Sequence, residues 1–308
     1  MQLRRTNWSL RIGAILVAFL VVLGFIGPYI APYELNFQEV FRSETVNGKS
    51  VYLSPPIPPS AEHWLGTDNW GYDLLTLLLH GAPYTIFVTL AVALLRVLLG
   101  TLVGLYIGIQ DKPQRWWLSV ENAWSYIPLF IPVYFFLRGV SINSELSVST
   151  LVALFIGAAS VLGVPSVASS IRQKTEQIKE TQFVLAAVSM GAGRGQIMFR
   201  HVLPHIKEQV VVIMATETVA VMTLMGLMGM FNLFIGGTKM SYDPVLYQSI
   251  THEWAGLLGS YRTFVYSKNA WLFLIPLICF VFAVGSFSLL AKGLRDHFQE
   301  TYKRTSYI

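Results

Sequence analysis

The chain has 308 residues, of which 54% are hydrophobic and only 13% charged, about half the charged share of a soluble globular protein. Water is therefore excluded as the main solvent for most of its length. The net charge of +5 raises nucleic acid as a partner, but the placement of the basic residues along the chain argues against it.

Six runs are long enough to cross a hydrocarbon core, which takes roughly 20 apolar residues as a helix: 12–31, 84–110, 118–137, 146–171, 209–238 and 269–291. Ten-residue segments of alternating polarity are absent, so the spans are expected to be helices and not barrel strands. The fold class is all-α membrane protein. The lone cysteine, Cys279, lies in the last run and excludes a disulfide framework within the chain.

The first run follows Arg4 and Arg5, the outline of a signal peptide. It exceeds the usual 7 to 15 apolar residues and no small-residue cleavage site follows, so an uncleaved first span is expected, with residues 1–31 as one unit. Residues 32–83 form an external segment. Its first half, EVFRSETVNGKS, reads as a loop or short strands. The four prolines of SPPIPPS at 54–60 forbid a helix and favour an extended path. Gly66, Thr67 and Asp68 read as a turn and helix cap, and the leucines from 74 to 79 as a short apolar helix lying at the outer interface or packed on the bundle.

Residues 84–308 form the core unit of five spans. Arg96 is the one charge in the second span, and Glu121 enters the third near its inner face, where solvation is expected. Pro128 and Pro132 should kink that span, either as tolerated breaks or to widen a path. The fourth span is rich in Gly, Ala and Ser, which permits close helix approach in lipid and predicts burial in the bundle. A polar island at 172–208 follows. A helix is expected to start at Thr175 and run to Met190, then a break at Gly191 and Gly193, then a second helix over 194–202 leading to Pro204. The fifth span carries Glu217.

With six spans and the N-terminus inside, fifteen of the 22 Lys and Arg fall in cytosolic segments, six in external ones, and Arg96 within a span. This follows the positive-inside rule, so the charge reads as orientation, with both termini and the island cytosolic. At about 1.5 Å per residue from the inner ends of their spans, Arg96 and Glu217 sit at roughly 21 and 12 Å, so they pair only if the arginine leans inward. The readings left open are a gating pair and separate service to a substrate path.

The island resembles the cytosolic loop of the inner-membrane subunits of ATP-binding-cassette importers: EAA, three residues, Gly, nine residues, then a position followed by x-Leu-Pro. Ala186 and Ala187, then Gly191, then His201, Leu203 and Pro204 reproduce that spacing, with Leu185 in place of the leading Glu. PSAEHWLGTDNWGYDLLTLLLHGA and the closing Gly293-Leu294-Arg295-Asp296 are similar to the second, C-type permease of the oligopeptide, dipeptide and nickel branch. Glu217 with Leu224-Met225-Gly226-Leu227 resembles that branch loosely.

The resemblance implies a type I importer transmembrane domain of about six helices with a cytosolic coupling helix, in the bacterial inner membrane. It implies a homologous partner permease, two ATPase subunits, an external substrate-binding protein and peptides as cargo, with nickel, another metal chelate or a small solute as the alternative. No Gly-x-x-x-x-Gly-Lys-Ser/Thr loop occurs, so ATP and magnesium are expected in the partner subunits; the chain is expected to be no enzyme and to hold no cofactor or metal. A passive channel or a membrane enzyme ranks lower. For an enzyme, the only close His pair, His201 and His205, lacks an acidic companion. Coupling is assigned to Leu185, Ala186, Ala187, Gly191, His201 and Pro204, because small residues let a helix seat closely in a cleft. Arg96, Glu121 and Glu217 are assigned to intramembrane gating or the path.

Overall fold

The computed structural model describes residues 7–46, 49–111 and 115–305. Arg4, Arg5 and Lys112, which entered the charge argument, lie outside them. Among the described residues five helices are long and apolar enough to cross a membrane, or six if one bent pair counts as a span. Helix satisfies every backbone polar group within its own segment, which lipid cannot do.

Helix α1 is Trp8–Ile30. Asn7 caps it, accepting from the Leu10 amide, and donates to the Gly293 carbonyl at 2.7 Å, so the start of α1 is pinned to the late part of the last helix. Gly13 permits that approach, since a Cβ there would meet the Leu290 backbone at 2.5 Å. The polar external stretch forms an antiparallel hairpin, β1 (Arg42–Val46) and β2 (Lys49–Leu53).

The short interfacial helix expected at 74–79 is the beginning of the second span. Helix α2 runs unbroken through Leu74–Gly108, so the boundary placed at residue 83 falls inside a helix. Pro83 does not end it: a π turn, Tyr84–Val88, follows directly and absorbs the irregularity. Its cap is Asp73, which accepts from the Thr76 amide at 2.8 Å. Asp68 instead closes the preceding turn, accepting from the amides of Trp70 and Tyr72.

The third run is two helices, α3 (Arg115–Ser125) and α4 (Phe130–Ser141), bent by 77°. Pro128 stands in the break. Pro132 lies in the first turn of α4, where its missing amide costs nothing, so one proline and not two makes the bend.

Helix α5 is Val148–Lys179, extending eight residues beyond the expected span and through the expected helix start at Thr175. Its closest neighbour is α2. Gly100, Gly104 and Gly108, each four residues on, leave room for Val167, Ala168 and Thr175, whose atoms a Cβ would meet at 2.6 to 2.7 Å. Close approach thus comes from glycines of the second span, and Gly157 of the fourth faces open space.

A short helix α6 (Gln182–Ser189) follows, then α7, Arg194–Met230, continuous through a π turn at Ile197–Val202. The apolar run continues past Met230 because Leu233, Phe234 and Ile235 are a buried loop, not more helix. Next come an antiparallel hairpin, β3 (Thr238–Tyr242) with β4 (Val245–Ser249), and a buried helix α8, Trp254–Tyr261. The last helix, α9 (Trp271–Thr305), runs well beyond residue 291.

Two ends result. At the far end, α8 packs on the end of α7 and the starts of α2 and α9, strand β4 lies against α8, and Gly66 of the segment before α2 meets Trp271 at the start of α9. At the island end, the 172–208 loop covers the end of α2. One large apolar core fills the far part and the middle, and a second, including Leu105, Ile171, Val184, Val202 and Ile206, underlies the island.

Candidate functional site

The island is built on α6. The chain leaves α5 at Lys179, turns at Thr181 and re-enters helix at Gln182. Gly191, at φ +87°, closes α6: the Ala192 amide donates to the Ala187 carbonyl at 3.0 Å and the Gly191 amide to Val188 at 2.9 Å. Only glycine takes that backbone without strain.

The eight residues of α6 divide into two faces. Val184 and Ala187 are buried, and Val184 belongs to the chain's own second core with Ile197, Met198 and Val202. Ala187, expected in the coupling surface, is buried within this chain. Leu185 (53% exposed), Ala186, Val188 (50%) and Ser189 face outward, followed by Met190 at 83%. An apolar patch so displayed at the tip of a polar loop is the mark of an interaction surface.

Asp111 clamps this element. One oxygen meets Lys179 Nζ at 3.2 Å and the other Arg194 Nη2 at 2.9 Å, so the residues just before and after α6 are both tied to the end of α2. Lys179 also donates to the Gln110 carbonyl at 2.8 Å. The hydrogen bond from Arg194, then that from Lys179, holds the Asp111 carboxyl below the usual range. Exposed pairs of this kind contribute little stability singly, and their effect is to fix orientation. His201 lies in the π turn that follows α6. Its carbonyl accepts from His205 Nδ1, and the His205 ring stacks on Phe183 of α6 at 4.7 Å. Pro204 is exposed and lies beside the π turn, which widens the helix where the proline ring would crowd the preceding turn.

Inside the bundle, the structure brings Arg96 and Glu217 together, with Nη1 to Oε2 at 3.0 Å. The mismatch in height disappears because α7's regular α-helical part begins at Leu203, not residue 209. Glu217 is then about 21 Å along that stretch and Arg96 about 18 Å from the end of α2. Arg96 Nε also donates to the Ala159 carbonyl at 2.8 Å. Gly163 is the slot for the guanidinium, since a Cβ there would stand 2.3 Å from Nε. Removing two charges from water is costly unless they are paired, which this geometry provides.

Glu121 is not solvated as expected. It accepts from Ser169 Oγ at 2.5 Å and is held by Arg172, whose Nη2 lies 3.1 Å from Oε1, while Arg172 also grips Glu176 at 2.8 Å. The arrangement fastens α3 to α5. A cavity of about 380 Å3 lies between, lined by Arg96, Glu121, Trp124, Ser166, Glu217 and residues of the α3–α4 break.

Sequence reasoning missed Asp111, Arg172 and the buried acids of the far end. Glu253 is fully enclosed, accepting from the Ile235 amide at 2.8 Å and from Ser249 Oγ at 2.5 Å, and burial pushes its carboxyl up to about 7. Asp68, also accepting from the Tyr261 hydroxyl at 2.9 Å, is raised by burial to about 6. In the sequence Asp68 reads only as part of a turn and helix cap, and Glu253 has no assigned role; their packing is what distinguishes them. Among the described residues no group of three or more His, Cys, Asp or Glu converges as a metal site.

The chain is 25% identical to the dipeptide transport system permease protein DppC of Alkalihalophilus pseudofirmus over 96% of this chain and 86% of the relative. It is 30% identical to a putative peptide permease protein of Brucella abortus, covering 78% and 74%. It is 26% identical to the glutathione transport system permease protein GsiD of Pectobacterium atrosepticum, covering 91% and 83%. Residues 96–304 match a family model that includes the island, both buried charge pairs and the last helix. With its multi-pass helical bundle, the chain belongs to the family of inner membrane components of binding-protein-dependent transport systems.

Proposed function

We propose that this chain is one permease subunit of an ATP-binding-cassette importer for dipeptides or oligopeptides. It pairs with a homologous permease to form the path, is driven by two ATPase subunits that bind ATP and magnesium, and receives cargo from an external binding protein. In this reading the island end and both termini face the cytosol. Family membership and the peptide-transport names of the relatives support it. The observation that carries the coupling role is α6: a clamped eight-residue helix that turns Leu185, Ala186 and Val188 outward while its other face rests on the core. ATP-driven closure of the ATPase pair would then shift the bundle between two states by binding one better than the other.

The test is purification of the tagged chain from its native membrane. ATPase subunits should accompany it, and reconstituted vesicles should take up labelled dipeptide only with ATP and the binding protein. A chain that comes down without an ATPase, or that passes dipeptide without ATP, refutes the reading.

A further inference from the structure

Helix α3 is held to the rest of the chain along one narrow face. Trp117, Glu121 and Trp124 lie on that face at helical spacing, while Trp116, Val120 and Asn122 between them are exposed. Trp117 joins Ile107 of α2 and Ala168 of α5 in a small buried cluster, and Trp124 Nε1 donates to the Leu162 carbonyl of α5 at 3.0 Å. Beyond Ser125 the chain bends by 77°, and Tyr126, Ile127 and Pro128 in the bend are exposed. A few such residues between two rigid helices are where a hinge absorbs its change of dihedral angle. Glu121, Asn122 and Trp124 are also one wall of the cavity of about 380 Å3, so lifting α3 from α5 takes that wall away.

The charged contact on this face is built to let go. Arg172 divides its guanidinium between two acids: Nε and Nη2 meet Glu121 at 3.2 and 3.1 Å, and Nη1 meets both oxygens of Glu176 at 2.8 Å. Glu176 stands one turn further along the same helix, so it stays with the arginine wherever α3 goes. Were α3 to lift, Arg172 would keep a carboxylate. Glu121 would leave toward solvent and not toward lipid, because Arg172 stands where α5 enters the polar island. The usual penalty for parting a buried pair, a charge stranded without its partner, is thereby avoided. At Arg96 the same parting would strand a guanidinium whose side chain is only 2% accessible.

We infer that α3 is a flap over this cavity, hinged at 126–129 and latched to α5 by an arginine that Glu121 shares with Glu176. The flap rests on the contacts of α3 alone. It depends neither on what the cavity carries nor on what drives the bundle, so it stands or falls apart from the importer reading.

Thiol reactivity reads the opening without transport. A Cys279→Ser background removes the lone native thiol. In it, Ala168→Cys places a reporter in the Trp117 cluster and Ala283→Cys a control in the large core, both at positions that are 0% accessible. The chain in lipid nanodiscs, with the subunits that accompany it and without ATP, is treated with a charged methanethiosulfonate. Glu121→Gln weakens the latch and should speed modification at position 168 by about tenfold to hundredfold, the worth of a charge-assisted hydrogen bond. Glu176→Gln should slow it by about two- to fivefold, because the open flap then strands Arg172. Modification at position 283 should stay the same in both. If Glu121→Gln leaves the rate at position 168 as it was, or raises the rate at both reporters through general loosening, the flap is overturned. If Glu176→Gln leaves the rate unchanged or raises it, the shared latch is overturned. Should Ala168→Cys not fold, Leu162→Cys, beside the Trp124 indole, reads the same outcomes.

Discussion

Glu253 gives the far end a pH dependence with a definite sign. Its carboxyl sits at about 7 against a usual 4.5, because burial opposes the charge more than its hydrogen bonds favour it. The hydrogen bonding around the carboxyl also has a place for that proton. The Thr251 hydroxyl lies against both the Ile235 carbonyl and the Glu253 carboxylate, and its one hydrogen can serve only one of them. A protonated Glu253 supplies the other. Because the folded pKa is raised, the stabilising neutral form is fully present below about pH 4.5 and is lost as pH rises through about 7. The difference between 4.5 and about 7 corresponds to roughly 3 kcal/mol. His252, pushed down to about 4 by burial and by His80, acts in the other direction: between about pH 4 and 6.5 it is neutral when folded and charged when unfolded, so it raises stability with pH there. Asp68, raised by burial to about 6, lowers it, and the two largely offset each other. Thermal unfolding of the chain in nanodiscs should therefore fall by several degrees between pH 5 and pH 8. Glu253→Gln should flatten that slope and leave the low-pH midpoint within a degree or two. Parallel wild-type and variant profiles across the range would falsify the argument, since they would mean that Glu253 is charged and satisfied at every pH.

Three further outcomes follow from the geometry. Val188→Asp, on the outward face of α6, should abolish ATPase co-purification with little change in melting temperature, whereas Leu185→Glu at the neighbouring exposed position should leave the complex intact; the check is a pull-down with a thermal scan. Arg96→Ala strands Glu217 in the bundle and should cost about 3–5 kcal/mol; in a double-mutant cycle read by denaturation, additivity of Arg96→Ala and Glu217→Ala would refute the pair. Gly104→Ala should destabilise by about 1–3 kcal/mol, because its Cβ would stand 2.6 Å from the Ala168 carbonyl oxygen; an unchanged melting temperature would show that the helices can part there.

The spans were legible because long apolar runs have one solution in lipid. Their ends were not, because tertiary context decides them. The second span was expected to begin at residue 84, after a separate short helix. In the structure Gly81 serves a close approach, with a Cβ 1.9 Å from the His252 carbonyl oxygen, and Pro83 is absorbed by the π turn. Helix α8 was invisible, since WAGLLGSY is too short to span and lies in a stretch with polar flanks. At the island, spacing located Ala186, Ala187 and Gly191, but not which face each would occupy. Ala187 lies buried beside Val184, which belongs to the second core, while Ala186 is exposed. The Asp111 clamp joins residues 111, 179 and 194, a relation that no local pattern carries.

The glycine seam between α2 and α5 has a mechanical consequence. Packed closely over Gly100, Gly104 and Gly108, the two helices behave as a single girder, and Asp111 bolts both flanks of α6 to its end. A force applied to α6 cannot be dissipated by swinging that helix on its own. It is delivered to the girder as a whole, and the Arg96 guanidinium, wedged in the notch left by Gly163, travels with it. Glu217 rides on a different helix. The ion pair between them is thus the joint at which a displacement of the girder is either shared with α7 or broken.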